Sequence, residues 1–180
     1  MFRREPRVPP GALSALLMLL TFTVCAPSAD AKSPWAEAYD PQQDAAPALQ
    51  TALQEAAESD RLLLVIVGGD WCPWCFTLDR YFQRHDGERE AVEETFVVFK
   101  LFFVGGHPNE ALLARFPGIR GYPHFMVFDP LVGYVGAHST GALENKRKVR
   151  GDSYDRRKMR GFVAEWETYR RERIDVLAAE

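Results

Sequence analysis

The sequence predicts an α/β protein in which helices flank a central β-sheet. Two observations carry this prediction. The run Leu62–Val67 is short, continuous and apolar, as strands are when both faces of a sheet are covered, and Thr95–Val104 is a second stretch with the composition of a buried strand. Segments with apolar residues at helical spacing alternate with these runs. The chain has 180 residues and is 47% hydrophobic, which is enough for one domain with its own core.

Residues 1–31 predict a cleaved secretory signal peptide. Three arginines among the first seven residues give a positive start, residues 12–24 form an apolar run, and residues 29–31 are of the kind that a signal peptidase recognises. Cleavage there predicts a periplasmic or secreted protein. A membrane anchor is the alternative, but the apolar run is shorter than the roughly 20 residues that span a bilayer.

Cysteine and charge content narrow the class of protein further. Cys25 would leave with the signal, so that the mature chain would keep Cys72 and Cys75. Lipidation of Cys25 is a minor alternative, since Val24 is larger than the residue usually found before a lipidated cysteine. A net charge of −3 implies neither nucleic acid nor an acidic membrane as partner. The basic run Lys146–Arg160 indicates a solvated loop and helix start.

The first half of the domain is predicted from its prolines, a helix-capping residue and the spacing of its apolar residues. Residues 32–43 carry two prolines and little periodicity, which indicates an extended lead-in to a domain over 44–180. Asp44 is a suitable cap for a helix ending near Ser59. Its face is formed by apolar residues at helical spacing: Leu49, Ala52, Leu53 and Ala56. The strand Leu62–Val67 follows and is predicted to be central.

The next elements follow the cysteine motif. A helix is predicted over Pro73–Arg84, a break at 85–87, and one or two helical turns over Glu88–Glu94. The strand Thr95–Val104 comes next and is predicted to be buried. Asn109 is predicted to cap a short helix that ends at Phe116.

The last part of the chain predicts a hairpin and a long helix. His124–Phe128 and a strand from about Val132 to Ala137 are separated by a short turn. A polar loop is predicted over 139–151, and the final helix starts at Asp152 or Ser153. Its apolar stripe covers one face of the sheet and consists of Met159, Phe162, Val163, Trp166, Tyr169 and Ile174.

The motif Trp71-Cys72-Pro73-Trp74-Cys75 predicts a redox-active pair. Two intervening residues let both sulfurs meet, so the pair can cycle between dithiol and disulfide. Cys72 lies at the N-terminus of a helix, where unpaired N–H groups and the helix dipole favour a thiolate, so it is the predicted nucleophile. Pro73 suits the first helical position. Cys75 is the predicted resolving thiol and is expected to be the more buried.

The order of elements and two separated motifs resemble the thioredoxin family over about Ala46–Tyr169. The motifs are the cysteine motif and Gly118-Ile119-Arg120-Gly121-Tyr122-Pro123, which opens a strand. The resemblance implies a three-layer fold with a central mixed sheet. It also implies a cis proline at Pro123 beside the cysteines, and a substrate site that includes Tyr122 and Pro123. Trp71 matches the aromatic residue that usually precedes the first cysteine.

One departure from that family concerns proton transfer. Thioredoxin has a buried carboxylate in the strand before the motif, and here that position is Ile66. Asp70 is the acidic residue nearest the thiols in sequence and is predicted to lie on the surface. Proton transfer from Cys75 is expected to use either water or Asp70. Trp71 is predicted to pack under the loop, and Trp74 to lie exposed as a substrate contact.

These observations predict an exported thiol–disulfide oxidoreductase that acts on protein substrates through Cys72 and Cys75. It would be a monomer that needs a redox-recycling partner but no cofactor, metal or nucleic acid. Two alternatives stay open: a binding or scaffold module with an inert disulfide, and a dedicated thiol reductant in the maturation of metal or haem proteins. A zinc site is weaker, since no second pair of ligands is evident.

Overall fold

A computed structural model of the chain describes residues 33–146 and 153–178, with side chains up to residue 173. The described residues belong to one unit, Lys32–Glu180. The predicted signal peptide over 1–31 lies outside them and stays a prediction, as does the stripe position Ile174. In the part of the chain so described, no helix is both long and apolar enough to cross a membrane.

The sheet has four strands, and the strand that precedes the cysteine motif is at its centre. β1 (Leu62–Gly68) pairs in parallel with β2 (Phe96–Phe102) and antiparallel with β3 (His124–Asp129). β4 (Gly133–Ser139) forms a hairpin with β3, so that the order is β2-β1-β3-β4. Every residue of β1 is buried, because the strand has neighbours at both edges and helices on both faces. The predicted mixed sheet and three layers are confirmed.

Helices cover both faces of the sheet, and each face has its own apolar core. α1 packs on one face, whereas α2, α3 and α5 share the other. The described helices are α1 (Ala45–Glu58), α2 (Pro73–Arg84), α3 (Asp86–Thr95), α4 (Glu110–Leu113) and α5 (Arg156–Ala178). Asp44 caps α1 as predicted, since its carboxylate accepts a hydrogen bond from the backbone N–H of Ala46.

Two predicted elements differ from the structure in the middle of the chain. β2 is an edge strand with several half-buried residues, not a strand buried on both sides. α4 ends at Leu113 instead of Phe116, and Asn109 makes no capping bond. The Asn109 side chain instead accepts from the N–H of Ala45 and donates to the carbonyl of Phe102. It therefore joins the start of α1 to the end of β2.

The final helix starts later than predicted. α5 begins at Arg156, because the carboxylate of Asp155 accepts hydrogen bonds from the N–H groups of Arg157 and Lys158 and so takes the capping position. Its stripe residues Met159, Phe162 and Val163 are buried against the sheet, as predicted.

The predicted lead-in is part of the folded core. It begins with a 3-10 turn, Pro34–Ala36. The Trp35 ring is buried and stacks on Phe82 of α2 with ring centroids 3.9 Å apart, and its indole N–H donates to Glu93 of α3 over 2.9 Å. Sequence periodicity could not show this, because a segment without regular structure is held here by individual side-chain contacts.

A buried carboxylate joins α3 to α5 and gives one stability prediction. Glu88 is buried, and hydrogen bonds from Arg156, at 2.9 and 3.0 Å, lower its pKa. The Arg156 side chain is half exposed, so we expect Glu88→Gln to reduce the free energy of unfolding by only about 1 kcal/mol at pH 7.

The contact between Glu88 and Arg156 also determines how the stability difference between the parent protein and Glu88→Gln depends on pH. A lowered folded-state pKa stabilises the protein above the ordinary pKa of 4.5, and this contribution is lost as the pH falls through the folded-state value. Urea denaturation of both proteins should therefore show a difference at pH 7 that shrinks near about pH 3. An unchanged difference in acid would contradict the assigned contact.

Candidate active site

The two motif cysteines are joined as a disulfide at the start of α2. Their Cα atoms are 5.3 Å apart. Cys72 is the N-cap residue of the helix, and its sulfur accepts a hydrogen bond from the N–H of Cys75 over 3.2 Å. Pro73 occupies the first helical turn, where its missing N–H costs nothing. The N–H group of Cys75 thus points at the Cys72 sulfur, and its position at the helix N-terminus favours negative charge there.

Burial does not separate the two sulfurs in the disulfide form. Cys72 is 3% exposed and Cys75 is 2% exposed, so the expected difference in burial is wrong for this state. Both sulfurs are enclosed because they are bonded to each other within a core cluster. Their surroundings differ instead: Cys72 lies at the helix terminus, whereas the sulfur of Cys75 points toward Gly68 at the end of β1.

Trp71 lies on the surface beside the disulfide, and the prediction that it packs under the loop is wrong. It is 46% exposed. Its indole N–H donates to the carbonyl of Phe103 over 2.8 Å, and its ring meets the edge of Tyr122 at 5.1 Å. Tyr122 in turn stacks on Phe103. These contacts hold the indole in place while leaving much of its apolar surface accessible.

A second exposed group lies on α2 itself. Trp74 is 41% exposed, as predicted, and its ring meets the edge of Tyr154 at 5.9 Å. Phe76 and Val104 are also large apolar side chains with high exposure. Exposed aromatic residues at the mouth of a buried disulfide are suited to contact another protein.

The second motif lies where the strand β3 begins. The Tyr122–Pro123 peptide bond is cis, and Pro123 is buried. The hydroxyl of Thr140 donates to the carbonyl of Pro123 over 2.6 Å. The contact between Trp71 and Tyr122 brings this motif next to the cysteine motif, although the two are far apart in sequence.

The acidic residue predicted to assist proton transfer lies on the surface. Asp70 is exposed and accepts a hydrogen bond from the backbone N–H of Tyr39 over 3.4 Å. Its surface position agrees with the sequence, and its role in proton transfer stays a prediction.

A buried ion pair below the disulfide was missed by the sequence reasoning. Asp79 on α2 and Lys100 on β2 are both largely buried and lie 2.8 Å apart. Burial raises the pKa of Asp79, and the hydrogen bond from Lys100 opposes that rise. Lys100 pairs in register with Ile66, the position at which the thioredoxin resemblance would place a carboxylate. The chain therefore has a buried carboxylate, but a helix supplies it instead of the strand.

Two signals in the sequence pointed to this pair. Asp79 follows Cys75 by four residues, which places both on one face of a helix. Lys100 interrupts an apolar run, and a buried lysine needs a counter-charge. Tyr39 has no such signal. It lies in the lead-in and is only 5% exposed, and its hydroxyl reaches the neighbourhood of Cys75.

The described residues contain no cluster of side chains suited to bind a metal ion. In the ranges 33–146 and 153–178, no group of three or more His, Cys, Asp or Glu residues is placed to hold one. Two cysteines joined to each other are half of the four ligands of a structural zinc site. The arrangement is suited to thiol–disulfide exchange.

Comparisons with known proteins were made for both the sequence and the fold. Residues 43–130 match the family described as thioredoxin-like. A disulphide isomerase from Xylella fastidiosa Temecula1 superposes with a TM-score of 0.57 and 23% sequence identity, covering 71% of this chain and 94% of that one. For a thioredoxin from Thermus thermophilus the TM-score is 0.45 and the identity 21%, covering 64% and 81%. A comparison with curated proteins found no match.

Proposed function

Because residues 43–130 match the thioredoxin-like family, we propose that this chain belongs to that superfamily and is an exported thiol–disulfide oxidoreductase acting on protein substrates. One observation carries the proposal: the Cys72–Cys75 disulfide lies at the N-terminus of α2, among exposed aromatic side chains. The disulphide isomerase of similar fold is named for chemistry of the same class. A helix N-terminus supports the thiolate that such chemistry needs.

The proposed exchange uses each cysteine once. In the reduced protein the Cys72 thiolate attacks a substrate disulfide, forms a bond to one substrate sulfur and expels the other as a thiolate. The Cys75 thiolate then attacks the Cys72 sulfur of the mixed disulfide. The Cys72–Cys75 bond forms while the bond to the substrate breaks, and the substrate leaves as a thiolate that takes a proton from water. The substrate is reduced and the pair is oxidised.

The substrate contacts are proposed for the surface around the disulfide. Trp71, Trp74 and Tyr122 supply aromatic surface, and Pro123 lies beside Tyr122 at the start of β3. An extended segment that carries a cysteine or disulfide would cross this surface, its apolar side chains packing on the indoles. A second protein must restore the oxidation state of the pair after each cycle.

Export is proposed from the sequence of residues 1–31. Positive charge, an apolar run and small residues follow in the order typical of a signal peptide, and a periplasmic or secreted location would suit a protein that handles disulfides. Sequencing the N-terminus of the protein recovered from the periplasm would show whether cleavage follows Ala31. The mature protein is proposed to be a monomer.

The first measurement is the equilibrium reduction potential of the Cys72–Cys75 pair in glutathione and dithiothreitol buffers. Trp fluorescence serves as the readout. Trp71 and Trp74 are close enough to the disulfide to report its opening. We expect a value between about −270 mV, typical of a reductant, and about −120 mV, typical of an oxidant. Insulin reduction with dithiothreitol as electron donor should be faster with the protein than without it.

The inert scaffold is the second candidate, and the burial of both sulfurs favours it. If the disulfide opens in none of these buffers and insulin reduction stays at the background rate, the pair is structural. The proposed activity would then be wrong, although the fold would be unaffected.

A further inference from the structure

The segment before α1 brings one hydroxyl group to the resolving cysteine. Tyr39 lies in the part of the chain that precedes Ala45, yet its side chain is buried in the same core cluster as both cysteines. Gly68, the last residue of β1, faces it. A methyl group added at Gly68 would lie 2.5 Å from the Cys75 sulfur and 2.9 Å from the Tyr39 hydroxyl oxygen. The sulfur and the oxygen therefore converge on one point, which only a glycine leaves open.

Three contacts hold this segment in place. Asp70 accepts from the N–H of Tyr39 itself. The ammonium group of Lys100 donates to the carbonyl of Glu37 over 2.6 Å, and Gln83 donates to the carbonyl of Trp35, also over 2.6 Å. These anchors at residues 35, 37 and 39 fix the direction of the tyrosine side chain.

The surroundings keep the tyrosine protonated. The Lys100 ammonium lies 5.3 Å from the ring centroid, and negative or polar groups face the ring from the other elements: Asp79 of α2, Asp70 after β1, and Tyr154 before α5. Burial, followed by the charge of Asp79, raises the pKa of Tyr39 far above its ordinary value. The phenol thus remains a hydrogen-bond donor throughout the working pH range of a thiol.

We propose that Tyr39 is a positioning residue for Cys75: in the mixed-disulfide intermediate its hydroxyl donates a hydrogen bond to the Cys75 thiolate and so speeds release of the substrate. The inference rests on the proposed exchange function. Cys75 gives its proton to water, and the Tyr39 O–H bond stays intact. The hydrogen bond stabilises the thiolate that attacks Cys72, and the electron pair leaves on the substrate sulfur. No further reactant is required.

The test separates the two chemical steps. Reduced protein is mixed with one equivalent of an aromatic disulfide, dithio-bis-nitrobenzoate, which releases a coloured thiolate at each attack. The first release reports attack by Cys72, and the second reports attack by Cys75 on the mixed disulfide. For Tyr39→Phe we expect the second step to be about tenfold slower at pH 7, with its pH midpoint about one unit higher and the first step unchanged.

Tyr81→Phe is the matched control, because Tyr81 is an equally buried tyrosine of the same core cluster. It should leave both steps and the pH midpoint of the second as in the parent protein. If Tyr39→Phe also leaves the rate and midpoint of the second step unchanged, the assignment of Tyr39 is overturned and the exchange function stands. If the parent protein shows no second release, the exchange function itself fails, whatever Tyr39 does.

Discussion

Replacing Cys75 with alanine is expected to leave substrate proteins covalently attached to Cys72. The remaining thiol still lies at the N-terminus of α2, where it is activated for the first attack, but nothing then clears the mixed disulfide. Insulin reduction should fall to background. Purification of Cys75→Ala from cells that express it, under denaturing, non-reducing conditions, should yield adducts that dithiothreitol removes.

The control for this trap is the reverse variant. In Cys72→Ser the hydroxyl is not a thiolate, and the sulfur of the remaining Cys75 points toward Gly68 and Tyr39. It should trap nothing and should also be inactive. Adducts on Cys72→Ser alone would reverse the assigned roles. If neither variant formed adducts, the exchange mechanism would lose its main support.

The largest loss of stability is expected from Lys100→Met. This change leaves the Asp79 carboxylate buried between α2 and β2 without its counter-charge, which typically costs about 3–5 kcal/mol. Burial already raises the pKa of Asp79, and loss of Lys100 removes the contact that opposes the rise. Because a raised folded-state pKa favours the protonated form, the variant should regain stability as the pH falls from 7 towards about 4. Urea denaturation at several pH values measures both effects.

A double variant distinguishes loss of the pair from loss of packing. Asp79→Leu combined with Lys100→Met replaces both charges with apolar side chains, which is often neutral or stabilising at buried ion pairs. We expect it to recover most of the stability lost in Lys100→Met alone. A double variant as unstable as the single one would indicate that the lysine acts through its bond to the Glu37 carbonyl and its position over Tyr39. Unfolding free energies of the parent protein, Asp79→Leu, Lys100→Met and the double variant complete the cycle.

Most of the fold could be predicted because its elements carry local signals. The helix Pro73–Arg84 was predicted with its observed limits, since a proline opens it and a break was expected at residues 85–87, although α3 already begins at Asp86. β1 was recognised from a continuous apolar run. Local sequence signals gave wrong predictions where a side chain can form either a local contact or one with a distant part of the chain. The side chain expected to cap α4, that of Asn109, is used to join two other elements.

The sequence predicted the site residues that are neighbours in the chain, but not the contacts between residues that are distant in sequence. The cysteine pair and the residues around it have fixed spacings, which sequence displays directly. The position of Trp71 depends on a bond to the Phe103 carbonyl, which no spacing encodes. The same holds for Tyr39, whose approach to Cys75 depends on the anchoring of an irregular segment by three other elements.

That segment also affects where the domain should be cut for expression. The family match begins at residue 43, so a fragment designed from the match alone would omit Trp35 and Tyr39. Such a fragment would expose the face of Phe82 that Trp35 covers and would leave Lys100 without its carbonyl partner at Glu37. Poor yield or weak activity from that fragment would reflect the position of the cut. A start at Lys32 keeps the whole segment.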